Sequence, residues 1–234
     1  QNCQYQAAGC SSCGSEAHAC GVLLSSCVWS TRNLLAASNP ATYRQILSNI
    51  AINAMLVHTG TLITPQITID YLTLDDDDDD IPNGTPHRTE IAGGFGAHNM
   101  PAPPLAPIKF FYPNGKPNFV SPVGGTTLRV EVQALTGSPQ AGSGKVFINT
   151  GSGFVQGTMN VISPNVYDVV FPPTPCGTPI RYYLQAQSTG LQTVNSPGSG
   201  PATWFSAVSA AGEGPTVFTD SFQSDLGWTV SNSP

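Results

Sequence analysis

The hydrophobic pattern of this chain changes its period once, at a proline-rich segment over residues 101–107. Before this segment, apolar residues recur at the three- and four-residue spacing of amphipathic helices. After it, apolar and polar residues alternate, which is typical of strands with one buried face. The length of 234 residues exceeds one typical domain. The sequence therefore predicts a helical domain over residues 1–100, an extended linker over 101–107 and a β domain from residue 108.

The helical part contains four predicted helices. The first covers about residues 16–37, and the next three begin at residues 39–40, 64–65 and 85–86, each pair ending in proline. Proline suits the first position of a helix because the backbone N–H that it lacks would have no carbonyl acceptor within the helix there. Thr85 is a suitable N-cap residue. The second helix is expected to end at Gly60, since glycine commonly follows a helix C-terminus.

The β part contains six or seven predicted strands, separated by turns rich in glycine, proline, asparagine and serine. They cover residues 128–135, 145–149, 154–161, 167–171, 183–186 and 202–208. About a hundred residues in this pattern predict an immunoglobulin-like antiparallel β-sandwich over 108–211. Residues 212–234 predict the truncated start of another β module. The chain is therefore expected to be an interior fragment of a larger protein.

Five of the six cysteines lie within the first 27 residues, and Cys176 stands far from them. Low charge and abundant small polar residues predict a secreted protein, in which such cysteines form disulfides. Cys10 and Cys13 have the spacing of half a zinc knuckle, but no second pair completes it. Five cysteines leave one unpaired, which predicts a bridge to a segment outside this chain.

The amino-acid composition argues against two kinds of environment, nucleic acid as a partner and a membrane around the chain. Charged residues make up 9% of the chain and no basic cluster occurs, which argues against nucleic acid as a partner. No apolar run approaches the length needed for a membrane span.

Six consecutive aspartates, Asp75, Asp76, Asp77, Asp78, Asp79 and Asp80, account for the whole net charge of −6. Such a run must be solvated or hold a cation, because like charges repel and cannot be buried unpaired. Oxygen ligands at short spacing, with Asn83 close behind, predict a calcium site. The run lacks the alternating spacing of the twelve-residue calcium loop, so a solvated acidic loop at a helix start stays an open alternative.

The chain has four histidines, His18, His58, His87 and His98. None belongs to an HExxH pair, and no serine lies in a GxSxG turn. The sequence therefore contains no complete hydrolytic site, and a structural role is the default expectation for each histidine. His98 is expected at a helix C-terminus, where the dipole favours it.

Several phrases of the helical part, in this order, resemble the C-terminal half of thermolysin- and fungalysin-type zinc peptidases. They are the helix opening EAHACGVLL at residues 16–24, the helix YRQIL at 43–47, the threonine-proline helix at 64–74 and the phrase GFGAHNM at 94–100. The acidic run followed by NGTPH at 83–87 is similar to a subset of secreted bacterial relatives. Those relatives carry a sandwich and then a module that begins like GWTV at 227–230.

The resemblance implies a secreted zinc-dependent endopeptidase that acts on peptide or protein substrates. His18 would match the histidine that donates a hydrogen bond to the tetrahedral oxyanion. The zinc ligands and the general-base glutamate would lie before Gln1, so these 234 residues alone should be inactive. The family places an acidic residue about five positions before that histidine, where this chain has Cys13, and Glu16 is the nearest carboxylate.

A non-enzymatic extracellular adhesion protein is the alternative, with a degenerate peptidase-like helical domain and a sandwich that binds polysaccharide, a cell surface or another protein. Six aromatic residues are candidates for a sugar-stacking face: Phe110, Phe111, Tyr112, Tyr182, Tyr183 and Trp204. Three or more coplanar rings on one exposed face would favour binding, whereas inward alternation would favour a spacer.

Overall fold

The computed structural model describes residues 2–14, 16–59 and 62–212. A short hairpin of β1 (Tyr5–Gln6) and β2 (Cys10–Ser11) precedes four helices, which are α1 (Ala17–Ser38), α2 (Tyr43–Val57), α3 (Gln66–Asp75) and α4 (Arg88–Gly96). A 3-10 turn, Ile81–Asn83, lies between α3 and α4. The predicted helical domain is confirmed. None of the described helices is both long and apolar enough to cross a bilayer.

The prolines precede the helices and do not occupy their first positions. The second, third and fourth helices begin three, one and two residues after Pro40, Pro65 and Pro86. Thr85 does not cap α4: the residue before the helix is His87, and the Thr85 hydroxyl donates to Asp75 Oδ2 at 2.5 Å. The second helix ends at Val57, before the predicted Gly60, and the backbone N–H of His58 closes its last turn.

The helices enclose one apolar core, in which Tyr71 and Phe95 pack with their ring centroids 4.7 Å apart. Its fully or nearly fully buried members are Cys3, Leu23, Cys27, Ile50, Ala54, Ile67, Tyr71, Leu72, Ile91, Phe95 and Met100. The first and fourth helices approach closely, because Gly94 lies against the backbone of Thr31.

The cysteines form two bridges, Cys3–Cys13 and Cys10–Cys20, which tie the N-terminal hairpin to α1. Disulfides are therefore confirmed, and Cys10 and Cys13 are not zinc ligands because each belongs to a different bridge. The remaining thiol of the first segment, Cys27, is completely buried, and its Sγ lies 3.6 Å from Met100 Sδ. Burial raises the pKa of this thiol to about 12. The predicted bridge to another segment is wrong, since the unpaired cysteine is a core residue.

The β domain contains ten strands, more than predicted, because short edge strands add to the alternating ones. They are β3 (Ile108–Phe111), β4 (Phe119–Val120), β5 (Thr127–Ala134), β6 (Lys145–Asn149), β7 (Val155–Gln156), β8 (Thr158–Ser163), β9 (Val166–Val170), β10 (Pro179–Gln187), β11 (Thr193–Ser196) and β12 (Phe205–Ser209). The segment predicted as one strand over 154–161 is divided at Gly157.

Two sheets form the sandwich, with strand orders β3-β5-β9-β8 and β4-β12-β10-β6-β7, and β11 adds to β10. All pairs are antiparallel except β4 with β12, which are parallel. In the lettering of immunoglobulin domains these orders correspond to ABED and to the sheet built on CFG. The predicted immunoglobulin-like sandwich is confirmed, with one parallel edge pair. The module predicted over 212–234 lies outside the described residues, apart from Gly212.

The linker over residues 101–107 is extended, as predicted, but it is held by both domains. Ala106 N donates to Pro82 O at 2.8 Å, and an Arg88 guanidinium N–H donates to Pro103 O. At the other end, the carbonyl of Pro107 accepts from three consecutive amides, including Gly137 N at 2.9 Å. The helical domain and the sandwich are therefore joined by a bonded segment and not by a free tether.

Candidate functional site

His18 lies in the first turn of α1, next to the cap that the sequence provides. Glu16 is the N-cap residue, and its carboxylate accepts from the backbone N–H groups of His18 and Ala19 at 3.2 and 3.1 Å. The same carboxylate lies 2.7 Å from His18 Nδ1. These hydrogen bonds, led by the one from the His18 side chain, lower the pKa of Glu16. Glu16, two residues before the histidine, is thus the carboxylate that contacts its ring.

The His18 ring projects into solvent, with 93% of its side chain exposed. Nδ1 is occupied by Glu16, so Nε2 is the nitrogen that faces outward. The ring therefore has a fixed orientation and an accessible donor or acceptor atom, which is the arrangement that an oriented catalytic histidine requires.

The other histidines are partnered inside the helical domain. His58 Nδ1 lies 2.6 Å from Asp70 Oδ2, and His87 Nδ1 lies 2.6 Å from Asp75 Oδ1. His98 follows α4 but is buried, at 4% exposure, and its Nδ1 lies 2.6 Å from the carbonyl oxygen of Cys3. Its position after the end of α4 is the predicted one, and its ring contacts the N-terminal segment at Cys3 and α1 at Ser30.

The structure divides the predicted calcium ligands among different positions. Asp75 ends α3 and is 8% exposed; besides Thr85 and His87 Nδ1, it accepts from the backbone N–H of His87 at 2.6 Å. Its two oxygens hold the start of α4 and are not turned toward the rest of the run. Asp80 lies against the sandwich, where the Gly198 amide donates to it. Asp75 is therefore separated from the other predicted ligands, whereas Asp80 accepts from the Asn83 side chain and lies near the charges of Asp76 and Asp78.

Asp76, Asp77 and Asp78 come together, with one carboxylate oxygen from each within 4.8 Å of the others. Burial, followed by the charge of Asp78, raises the pKa of Asp76, and its Oδ1 is buried without a hydrogen-bond partner. Asn83 contributes its amide nitrogen, which donates to Asp78 Oδ2 at 2.9 Å. Oxygen ligands of this kind suit a hard cation, and calcium at these three carboxylates stays a prediction.

A calorimetric titration tests that prediction. We expect millimolar calcium to stabilise the chain by about 1 kcal/mol relative to chelator, as expected for a site with a Kd near the millimolar range. Asp78→Asn should abolish the shift in Tm. Asp79→Asn is the matched control, because Asp79 is exposed and lies outside the cluster at φ 64°, a conformation that asparagine tolerates. An unchanged Tm for the wild type would indicate a solvated loop.

Asp80, at the junction between the two domains, is buried where its ionised form is disfavoured. Asp80 is 9% exposed and lines a cavity of about 240 Å³ together with Asn83, Lys109 and Gly198. Burial, then the neighbouring charges of Asp78 and Asp76, raises the pKa of Asp80 to about 6. The ionised carboxylate therefore weakens the folded junction at neutral pH.

This pKa predicts a pH dependence of stability. The folded-state pKa of Asp80 lies above the unfolded value, so the folded chain binds more protons between about pH 4 and pH 6. Acidification through this window should therefore recover on the order of 3 kcal/mol that ionisation costs. Asp80→Asn should remove this part of the dependence in denaturation measured at several pH values, whereas Asp79→Asn should keep it. Identical profiles for wild type and Asp80→Asn would contradict the assignment.

The candidate aromatic residues do not form a flat exposed platform. Phe110 and Tyr182 belong to the sandwich core, and Tyr112 donates to Ser196 at 2.7 Å. Tyr183 is covered by Phe147, stacked at an interplanar angle of 8°, and by Phe154 edge-on at 78°. Arg181 lies over the ring of Trp204. These rings pack on one another and on a cation, which favours a spacer over a sugar-stacking face.

Comparisons with known proteins give a limited result. No protein-family model and no curated protein matches the sequence. The Lin-41 filamin domain matches at 12% identity and a TM-score of 0.32, over 45% of this chain and 93% of that domain. An engineered protein matches at 16% identity and a TM-score of 0.33, over 53% of this chain and 26% of that protein. Because both TM-scores are low, the immunoglobulin-like fold rests on the strand orders, and the resemblance to zinc peptidases stays a prediction.

Proposed function

We propose that the helical domain is part of a secreted zinc-dependent endopeptidase, in which His18 stabilises the oxyanion of the tetrahedral intermediate. The observation that carries the proposal is the Glu16–His18 pair. A carboxylate fixes Nδ1 at 2.7 Å, and Nε2 faces outward from an exposed helix N-terminus. A histidine held in this way is suited to donate to a charge that develops outside its own domain.

The contact between Glu16 and His18 determines which protonation state of the His18 ring can donate a hydrogen bond to the oxyanion. Since Nδ1–H donates to Glu16, Nε2 carries a proton only when the ring is the imidazolium. The imidazolium then donates from Nε2 to the oxyanion while Glu16 balances its charge. Removing a donor of this kind lowers kcat by about 10²–10³, because the donor stabilises the negative charge that develops in the transition state and is absent from the ground state.

The described residues do not fit a catalytic zinc ion. Over the described ranges, the one group of three ligating side chains is Asp76, Asp77 and Asp78, which offers only carboxylate oxygens. Zinc in peptidases is held mainly by histidine nitrogen, and the sequence has no HExxH. The proposal therefore assigns the metal to a segment outside these 234 residues. The two disulfides support the secreted location, because such bridges persist in oxidising compartments.

Replacing His18 by alanine tests the proposal in the longer polypeptide that contains the zinc-binding segment. We expect kcat to fall by about 10² or more, with little change in Tm because the side chain is exposed. Ser38→Ala is the matched control on the same helix. The outcome that would sink the proposal is an unchanged rate, or a reading frame that encodes no HExxH segment.

The 234 residues alone provide a second check. They should cleave no casein, since the zinc ligands lie elsewhere in the proposal. Casein hydrolysis that a chelator blocks would show that the essential groups lie within this chain. Specific binding of a polysaccharide, together with no peptidase activity of the longer polypeptide, would instead support an adhesion protein.

A further inference from the structure

A second histidine is paired with a serine in the helical domain. Ser30 Oγ lies 2.9 Å from His98 Nε2, and His98 Nδ1 lies 2.6 Å from the carbonyl oxygen of Cys3. These three groups come from α1, from the turn after α4 and from the N-terminal segment, so only the folded domain brings them together. Their arrangement has the form nucleophile, base and orienting acceptor.

The carbonyl of Cys3 determines which nitrogen of His98 carries the proton. A carbonyl oxygen can only accept, so Nδ1 must donate to it. In the neutral ring, Nε2 then holds the lone pair, and the hydroxyl of Ser30 must donate to Nε2. This is the tautomer in which a histidine can remove the proton of a serine hydroxyl.

Ser30 departs from the behaviour of neighbouring serines on the same helix. Ser25 and Ser38 donate to the carbonyls of the residues four positions earlier, at 2.9 and 3.2 Å. That bond is the usual one for serine within a helix. The hydroxyl of Ser30 is instead directed at the imidazole of a residue 68 positions away.

Ser30 and His98 line an open groove, and His98 is buried at its base. The groove has a volume of about 670 Å³ and is lined by Asn2, Val22, Trp29, Ser30 and His98, among others. His98 is 4% exposed, whereas Trp29 is 63% exposed and forms an apolar wall. Among the described residues, no charged side chain lines the groove. Such a groove suits an uncharged ester with an apolar or aromatic part.

We propose that Ser30 and His98 form a metal-independent acyl-transfer site that takes small uncharged carboxylic esters. Ser30 Oγ attacks the ester carbonyl carbon while its proton passes to His98 Nε2. The bond to the leaving alcohol breaks, and Nε2 returns the proton to the leaving oxygen. A water molecule, deprotonated by the same nitrogen, then hydrolyses the acyl-serine to the carboxylic acid and restores Ser30. The carbonyl of Cys3 holds the ring in place and exchanges no proton.

The test uses the 234-residue chain with a fluorophosphonate probe and with p-nitrophenyl acetate, both in the presence of EDTA. We expect a covalent adduct that maps to Ser30 and an ester turnover about 10² above that of Ser30→Ala. Ser38→Ala is the matched control and should react like the wild type. His98→Gln should lower both rates to a similar extent, with circular dichroism to verify the fold.

If His98→Gln does not fold, the comparison of wild type with Ser30→Ala and Ser38→Ala decides the test. Absence of an adduct at Ser30, or equal reactivity of Ser30→Ala and wild type, would each overturn the proposal. Because EDTA removes zinc, a positive result does not depend on the proposed peptidase activity, and a negative one does not bear on His18.

Discussion

Alanine at position 94 is expected to destabilise the helical domain by about 3 kcal/mol, the upper range for overpacking a core. A Cβ at Gly94 would lie 2.1 Å from Thr31 Oγ1, 2.5 Å from Thr31 N and 2.7 Å from Thr31 Cα. Rotation of the threonine side chain relieves only the first of these contacts, because the other two involve backbone atoms. The first and fourth helices would have to separate, which would loosen the core around Phe95.

Gly96→Ala is the matched control, because it adds the same methyl group to the same helix where nothing lies within 4 Å. Alanine there should stabilise the domain by about 0.5–1 kcal/mol, since it restricts the unfolded chain more than glycine does. Urea denaturation of the two variants measures the difference. Equal stability of Gly94→Ala and wild type would show that the two helices are not in contact at this point.

Replacement of Asp75 by alanine is expected to cost about 3–5 kcal/mol, as for other buried hydrogen-bonded charges. The carboxylate is 8% exposed and accepts from the Thr85 hydroxyl, the His87 amide and the His87 ring. Without this carboxylate, the three donors at the start of α4 remain partly buried and lose their acceptor. The connection between α3 and α4, which contains the acidic run, would lose the hydrogen bonds that join its two ends.

Asp79→Ala separates this effect from a simple change of net charge. Asp79 belongs to the same run but is exposed, so its loss should change stability by less than 1 kcal/mol apart from a small contribution of its positive φ. Thermal and urea denaturation compare the two variants. A loss of less than 1 kcal/mol for Asp75→Ala would mean that the three hydrogen bonds contribute little.

The sequence predicted the order of four helices followed by antiparallel strands well, because the spacing of apolar residues depends on which face of each element is buried. Helices and strands with clear periodicity, such as α1 and β5, appear within a residue or two of their predicted bounds. Proline positions predicted helix starts less well, since the chain can turn before the first helical residue. The short strand β4 has only two residues and carries no period to detect.

The candidate site was predictable only in part. A run of six aspartates shows where charge concentrates, but not that Asp75 turns inward to α4 and Asp80 toward Gly198. The partnership of Ser30 and His98 joins residues 68 positions apart, and no local pattern marks it. Glu16 was recognisable as the carboxylate nearest to His18 because the two residues are two positions apart, but its contact with the ring needed the structure.

The contact of His98 with the N-terminal segment also links two parts of the chain that lie far apart in sequence. Tyr5 N donates to His98 O at 2.8 Å, and His98 Nδ1 reaches the carbonyl of Cys3, 95 positions earlier. Because each partner holds the other, the N-terminal hairpin and the end of α4 should open to solvent together, as one cooperative unit in amide hydrogen exchange.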